Sequence, residues 1–468
     1  MKFYLVSLGC AKNLVDSEVI IHHLEKAGHE WVTGEDLADA VIITTCCFIE
    51  SAKTESVETI LEFTRKKKRY SYRVFVGGCL PSRYGRDLLS LIPEVDGWFG
   101  IEEVTRVSEL IEKPIEEGPA ILVSPPGSTF TPYQGRRQVT PSHWAYLKIA
   151  DGCDHQCSFC VIPSIRGPYR SRHIEALAAE ASVLAAAGVR ELVLVAQDTG
   201  LYGKDLYGRQ RLPELLVRLE EIEGLRWIRL LYINPHSLGD ELICFMESSV
   251  KMVRYLDIPF QHASREVLKR MRRPGGRDEF LALIEGLRGR VPGLALRSTF
   301  ITGFPGETQQ DFQELLDFLR DARLARAGFF SYSREEGSRA YSYEDNVPGR
   351  EKERRHDAAM RLQRKIAGEV NYERLGKTVA VMIEKKREQQ DTAFLKGITA
   401  ELGNPNRGKL MLHDIAFIGR SEWDSPDVDG VVLLKTKEHS EGPVPSPGDI
   451  VEAGIEAVSA YDALGTIK

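Results

Sequence analysis

Six times between His143 and about residue 345, a short apolar run of strand character is followed by a longer segment with the apolar spacing of a helix. The runs fall at 145–150, 192–196, 227–232, 254–258, 295–302 and 327–332. Strands joined through helices lie parallel, because only a crossover returns the chain to the same edge of a sheet. Six such units predict a complete or partial TIM-like (β/α) barrel, with every strand C-terminus at one mouth.

On either side the pattern changes. Strand-like runs at 3–8, 41–45 and 74–77 alternate with helical segments at 13–27, stopped by Gly28, and at 50–68. They predict an open parallel α/β sheet over residues 1–125. The basic run 65–69 reads as a solvated helix end. Pro125, Pro126, Gly127, Pro132 and Gly135 mark a linker at 126–142, before the central domain of 143–348. Residues 349–372 are polar, basic and helical in period, and read as a solvated connection. Short β-rich runs at 378–383, 409–413, 431–434 and 450–453 then predict a small all-β barrel within 373–468. The chain is therefore read as α/β and multidomain.

No apolar run is long enough to span a bilayer, so no membrane partner is expected and the compartment is read as cytoplasmic. In that reducing setting eight cysteines point to metal or catalysis rather than disulfides. Cys153, Cys157 and Cys160 form a Cys-x3-Cys-x2-Cys run just past the first barrel strand, where chemistry is expected. Three thiolates on one loop can hold three irons of a four-iron cluster and leave the fourth open. Structural zinc wants four protein ligands, and would have to recruit His155 or His173. Cys10, Cys46 and Cys79 each follow an N-terminal strand, and parallel strands bring such positions to one edge. Their arrangement suggests a second cluster with an open iron, against the alternative of three buried apolar cysteines. Cys244 is read as a packing residue, and Cys47, beside Cys46, is left unassigned between packing, which is favoured, and a competing ligand.

Further polar residues fall at the predicted mouth: Gln197 and Asp198, Asn234, and Gln261 with His262. Asn234 reads equally well as a loop cap. Arg166 and Arg172, after the cysteine loop, are read either as carboxylate binders or as surface ion pairs.

With Phe159 before its last cysteine, the Cys153 run resembles the radical S-adenosylmethionine (SAM) superfamily, and the flanking domains resemble those of its methylthiotransferases. Segments 6–18, 196–199 and 420–430 are similar to the branch that acts on a ribosomal protein. Thr45 and Cys47 stand where that pattern has Asn and Gly. The resemblance implies a TRAM, OB-like fold for the last domain, two 4Fe-4S clusters and SAM as cofactors, and a reduced electron donor. It implies that the open iron of the Cys153 cluster chelates SAM, whose reductive cleavage yields a deoxyadenosyl radical, while the Cys10 cluster holds the sulfur. Phe159, Gln197, Asp198, Gln261, Thr302 and Gly303 are the implied cofactor contacts. The implied reaction places a methylthio group on the β-carbon of an aspartate in small-subunit ribosomal protein twelve, free or in the assembling ribosome.

Charge bears on the choice of substrate. Residues 373–468 carry 12 Lys or Arg against 16 Asp or Glu, a balance of −4, which suits a basic protein better than RNA. The sibling reaction on a tRNA adenosine would want a basic face with stacking aromatics, and Trp423 among Asp424, Asp427 and Asp429 does not match that expectation. A non-catalytic metal-binding or ribosome-binding protein is the remaining alternative.

Overall fold

The computed structural model describes residues 1–114, 118–128, 135–402, 411–436 and 443–468, and arranges them around three large sheets in chain order. The first contains β1 (Lys2–Ser7), β2 (Glu30–Trp31), β3 (Ala40–Thr45), β4 (Arg73–Gly78), β5 (Gly97–Phe99) and β6 (Ala120–Leu122). All pair in parallel, in the order β2-β1-β3-β4-β5-β6. Every residue of β3 is buried, which is why it reads as an unbroken apolar run rather than an alternating one. Helices α1 (Ala11–Lys26), α2 (Glu50–Tyr70) and α3 (Cys79–Tyr84) follow β1, β3 and β4. The sequence reading misses β2, β5 and β6, because strands of two or three residues carry no measurable period. Pro132 of the expected linker lies outside the described residues.

The central sheet is built from β7 (Trp144–Lys148), β10 (Glu191–Val195), β11 (Trp227–Leu230), β12 (Met252–Asp257), β13 (Ala295–Thr302) and β14 (Arg326–Ser331). They pair in parallel in chain order, leaving β7 and β14 as edges of a partial barrel. Between β7 and β10, a short antiparallel pair, β8 (Ala150–Asp151) and β9 (Arg170–Ser171), clasps the base of the cysteine loop. Along β13, Leu296, Ser298, Phe300 and Thr302 are buried, while Arg297, Thr299 and Ile301 remain half-buried. Phe300 packs on the helical layer through Phe318, so the half-buried residues face the lumen.

The closing domain is a closed barrel of β15 (Thr378–Lys386), β16 (Phe417–Ser421), β17 (Val432–Lys435), β18 (Ile450–Val458) and β19 (Ala463–Ile467). The expected strand at 409–413 is corrected: residues 409 and 410 lie outside the described residues, and Leu412–Asp414 is a single 3-10 turn ahead of β16.

Two further expectations change. The helix Gly349–Tyr372 is not a solvated connection. It buries Ala359, Gln363, Ile366 and Ala367, and the Gln363 amide donates to the Leu324 carbonyl at 2.9 Å. The acidic turn after β16 is not a free surface either, since it fills the N-terminal end of the central barrel. Arg420 bonds Glu191 at 2.6 Å, Arg326 bonds Asp424 at 2.7 Å, and the Tyr255 hydroxyl donates to Asp429 at 2.7 Å. Trp423 packs against the cluster containing Ala295 and Ala325 and shares a cleft with them, with the Arg374 guanidinium 5.0 Å from its ring centroid. Several acids counted towards a basic partner are thus spent inside the molecule, neutralising buried arginines.

Candidate active site

Cys10, Cys46 and Cys79 follow β1, β3 and β4, three adjacent strands of one parallel sheet. Ser7 is in register with Thr44, and Thr44 with Gly77, so each cysteine lies two or three residues beyond a shared level. With strands about 4.8 Å apart, all three reach the same sheet edge. The approach is close enough to require glycine before Cys10. Gly9 has φ +95°, and a Cβ there would come within 2.7 Å of the Cys46 Cβ. Asn13, in the first turn of α1, ties the loops together. Its amide donates to the carbonyls of Leu8 at 3.1 Å and Thr45 at 2.9 Å, and its Oδ1 is 3.6 Å from the Cys79 Sγ.

Burial pushes the Cys46 and Cys79 thiols up. Burial acts on Cys10 in the same sense, but Lys12 and Arg166 outweigh it and hold this thiol below its ordinary value. Cys47 sits in the apolar cluster with Val76 and Trp98, and burial raises its thiol to about 12 despite the nearby Arg83.

The second set lies at the mouth of the central barrel. Cys153, Cys157 and Cys160 share a cleft of about 600 Å³ with His155, Arg272 and Arg339. Gly152, with φ +77°, lets the loop leave β8 where any Cβ would collide with the Pro168 carbonyl. Ser158 anchors the loop: its N–H donates to the Met271 carbonyl at 3.0 Å, and its hydroxyl donates to Arg270 O at 2.7 Å. The Ile162 N–H points at the Cys160 Sγ at 3.4 Å, and Arg273 lies 3.7 Å from the Cys157 Sγ. Burial raises the Cys153 thiol to about 12 and pushes Cys160 up as well. Soft thiolates facing N–H donors are a donor set suited to an iron-sulfur cluster. His155, the zinc alternative, is engaged elsewhere, with Nε2 2.7 Å from an Asp198 carboxylate oxygen. Among the described residues no three His, Cys, Asp or Glu side chains are drawn together as a single metal ion needs. A cluster meets each thiolate through a different iron, so its ligands stand further apart.

A buried polar network joins the two sets. Arg166 is not a surface residue. Its Nη1 reaches both Asp151 oxygens at 3.0 and 2.8 Å, and its Nη2 reaches Asn13 at 2.5 Å, Asp16 at 3.1 Å and the Cys79 Sγ at 3.8 Å. Lys148 pairs with Asp16 and Asp151. Val161 and Ile165, just beyond Cys160, pack into the same apolar cluster as Cys47 and Cys79. Arg172 is also buried, paired with Glu180 at 2.6 Å.

The other expected contacts divide. Phe159 and Gln261 line a second cleft, of about 170 Å³, with Phe48, Thr299, Tyr332 and Glu335. Gln197 donates to Asp151 at 3.2 Å, and its Oε1 is buried with no partner among the described residues. Asp198 is spent on holding three loops together: it accepts from Gly200 N of its own loop and from Asn234 N and the Ser237 hydroxyl after β11, and it meets His155 of the cysteine loop. Asn234 caps the turn Pro235–Ser237 through His236 N. His262 is turned inward, accepting from Ser264 N, and burial lowers its imidazole to about 3. Thr302 lies on the helix-facing side of β13, and Gly303, at φ +71°, donates its N–H to Glu307 at 2.6 Å. Cys244 is exposed and bonded to Arg290, which corrects the expectation of core packing. The apolar face of its helix is Leu242 and Met246, and a residue two positions from Leu242 points the other way.

Sequence reasoning overlooked Lys12, Asn13, Asp16, Lys148 and Arg273. One signal was present: Asn13, Asp16, Ser17 and Glu18 give α1 several polar residues on faces that pack against neighbouring elements.

Comparison with known proteins follows the three sheets. Residues 2–100 match the uncharacterized protein family UPF0004, residues 147–319 the radical SAM superfamily, and residues 411–467 the TRAM domain. The chain is 44% identical over 466 residues to the ribosomal protein uS12 methylthiotransferase RimO of Pelotomaculum thermopropionicum, covering 99% of each chain. It is also 44% identical to the protein of that name from Desulforudis audaxviator, over 98% of this chain and 95% of that one. Among solved structures, the radical SAM methyltransferase TsrM of Kitasatospora setae, with cobalamin and a [4Fe-4S] cluster bound, superposes with a TM-score of 0.51. It does so at 15% identity, over 70% of this chain and 72% of that one, a likeness of fold.

Proposed function

We propose, for a chain that belongs to the ribosomal protein uS12 methylthiotransferases of the radical SAM superfamily, that the cysteine-bearing edges of its first two sheets serve one reaction at their junction. The protein is an enzyme that places a methylthio group on the β-carbon of an aspartate of uS12, with SAM and two 4Fe-4S clusters as cofactors. A C–H bond at that carbon is not usefully acidic, so no side chain here could activate it as a general base. When bound, the clusters and SAM supply the one-electron chemistry and the sulfur that such a bond demands.

The chain's own part is to hold and orient. Cys153, Cys157 and Cys160 are the ligands at the barrel mouth, with Ile162 N–H and Arg273 directed at two of their sulfurs. Cys10, Cys46 and Cys79 are the ligands at the N-terminal sheet edge. The unpaired Oε1 of Gln197 is an acceptor left for a cofactor donor, and Phe159 and Gln261 line one cleft together with Phe48 of the N-terminal domain. The observation that carries this reading is Arg166, whose one guanidinium bonds the barrel at Asp151 and the N-terminal domain at Asn13 and Asp16. It locks the two cysteine sets into one unit.

No helix among the described residues is long and apolar enough to cross a membrane. A reduced electron donor and a cytoplasmic ribosomal substrate complete the reading. It is tested by incubating the cluster-loaded chain anaerobically with dithionite and SAM. Deoxyadenosine should form, and should be lost in C153A, C157A and C160A. Formation of deoxyadenosine by all three variants contradicts the assignment.

A further inference from the structure

Lys12 stands apart from the other cations at the junction. Arg166 and Lys148 are saturated by Asp16 and Asp151, and Arg297 on the lumen side of β13 faces Asp257 and Asp429, each at 3.6 Å. Among the described residues Lys12 forms no close ion pair, and its charge reaches the buried Asp257 carboxyl only at longer range. Its ammonium lies 4.0 Å from the centroid of the Tyr232 ring and 3.5 Å from the Ala196 carbonyl oxygen. Those two residues come just after β11 and β10, so Lys12 leaves the N-terminal domain and enters the barrel mouth. It is half-buried and two residues from Cys10, and Gln197, with its unpaired Oε1, directly follows Ala196.

A half-buried ammonium resting on a ring face and one long carbonyl contact retains donors for a stronger acceptor. On the reading of the function given above, the substrate side chain is itself a carboxylate. Its β-carbon is bonded directly to the carboxylate carbon. Whatever fixes that carboxylate therefore also fixes the reacting carbon. We propose that Lys12 is the specificity-determining residue that receives the carboxylate of the substrate aspartate and sets its β-carbon between the two cysteine sets. The Tyr232 ring, held on a left-handed residue at φ +60°, is the platform that presents the ammonium.

SAM also carries a carboxylate, so the test separates the two sources. Fluorescent peptides spanning the modified loop of uS12, with Asp or with Asn at the target position, are titrated against cluster-loaded wild type, K12Q and K12R, and SAM affinity is measured alongside. Wild type should prefer the Asp peptide by about tenfold, the scale of one charge-assisted hydrogen bond. K12Q should bind both peptides alike with SAM affinity unmoved, and K12R should recover part of the preference. A K12Q protein that keeps the wild-type Asp-over-Asn ratio overturns the proposal. So does one that loses SAM affinity while keeping that ratio, which assigns Lys12 to SAM. If wild type methylthiolates neither peptide nor the intact uS12 protein, the underlying function fails instead.

Discussion

The guanidinium of Arg166 lies 3.8 Å from the Sγ of Cys79 while gripping both carboxylate oxygens of Asp151, which is two residues from Cys153. One side chain thus touches a proposed ligand of one set and the base of the loop carrying the other. Removing it would leave Asp16 and Asp151 with Lys148 as their one paired cation among the described residues. R166M should destabilise the cluster-free chain by about 3–5 kcal/mol, the usual cost of breaking a buried pair. Denaturant unfolding measures this. A change below about 1 kcal/mol would show that the network carries little weight.

Cysteine roles separate by iron content. The reconstituted chain should hold about eight iron atoms, and C10A, C46A or C79A about four, since each removes a ligand from one cluster only. C47A and C244A should match wild type, because Cys47 is enclosed by apolar side chains and Cys244 lies on the exposed face of its helix. Iron and sulfide analysis decides each case.

Much of this arrangement was legible in the chain. The six barrel strands showed because each is a short stretch carrying apolar or aromatic residues that is followed by a segment of helical period. The Cys153 set showed through its spacing on one loop, and the Cys10 set because parallel strands place sequence-distant residues at one edge. What stayed hidden depended on contacts between domains. Arg166 reads equally as a carboxylate binder or a surface ion pair until Asp16 of another domain packs against it. Asp424 and Asp429 count towards an acidic domain suited to a basic partner until Arg326 and Tyr255 meet them inside the barrel. Strands such as Gly97–Phe99 are too short to carry a period.

The seam between the central and closing domains is sensitive to acid. Burial raises the Glu191 carboxyl, but Arg420 and Arg229 outweigh it and hold the group below the usual carboxylate range. A carboxyl depressed on folding contributes stability that is fully present above its unfolded value, about 4.3, and is lost as pH falls through its lowered folded value. The stability gap between wild type and E191Q should therefore be flat above about pH 5 and narrow below the ordinary carboxylate range. Denaturant midpoints against pH will show it. A gap that widens on acidification would contradict the assignment.

Asp424 is the acid that neutralises Arg326 and also accepts from the Ser421 hydroxyl at 2.5 Å. D424A leaves Arg326 and Arg374 facing each other without their shared partner, at a cost of about 3–5 kcal/mol. The closing barrel should then release first. Limited proteolysis should cut between the central and closing domains in D424A at protease levels that leave wild type whole.

The central claim is that this enzyme acts on a ribosomal protein. The most direct measurement offers the cluster-loaded chain uS12 and tRNA together, under anaerobic conditions with SAM and reductant, and reads both by mass spectrometry. The account predicts a methylthio gain on one aspartate of uS12 and none on tRNA. A gain on a tRNA adenosine with uS12 unchanged would contradict it.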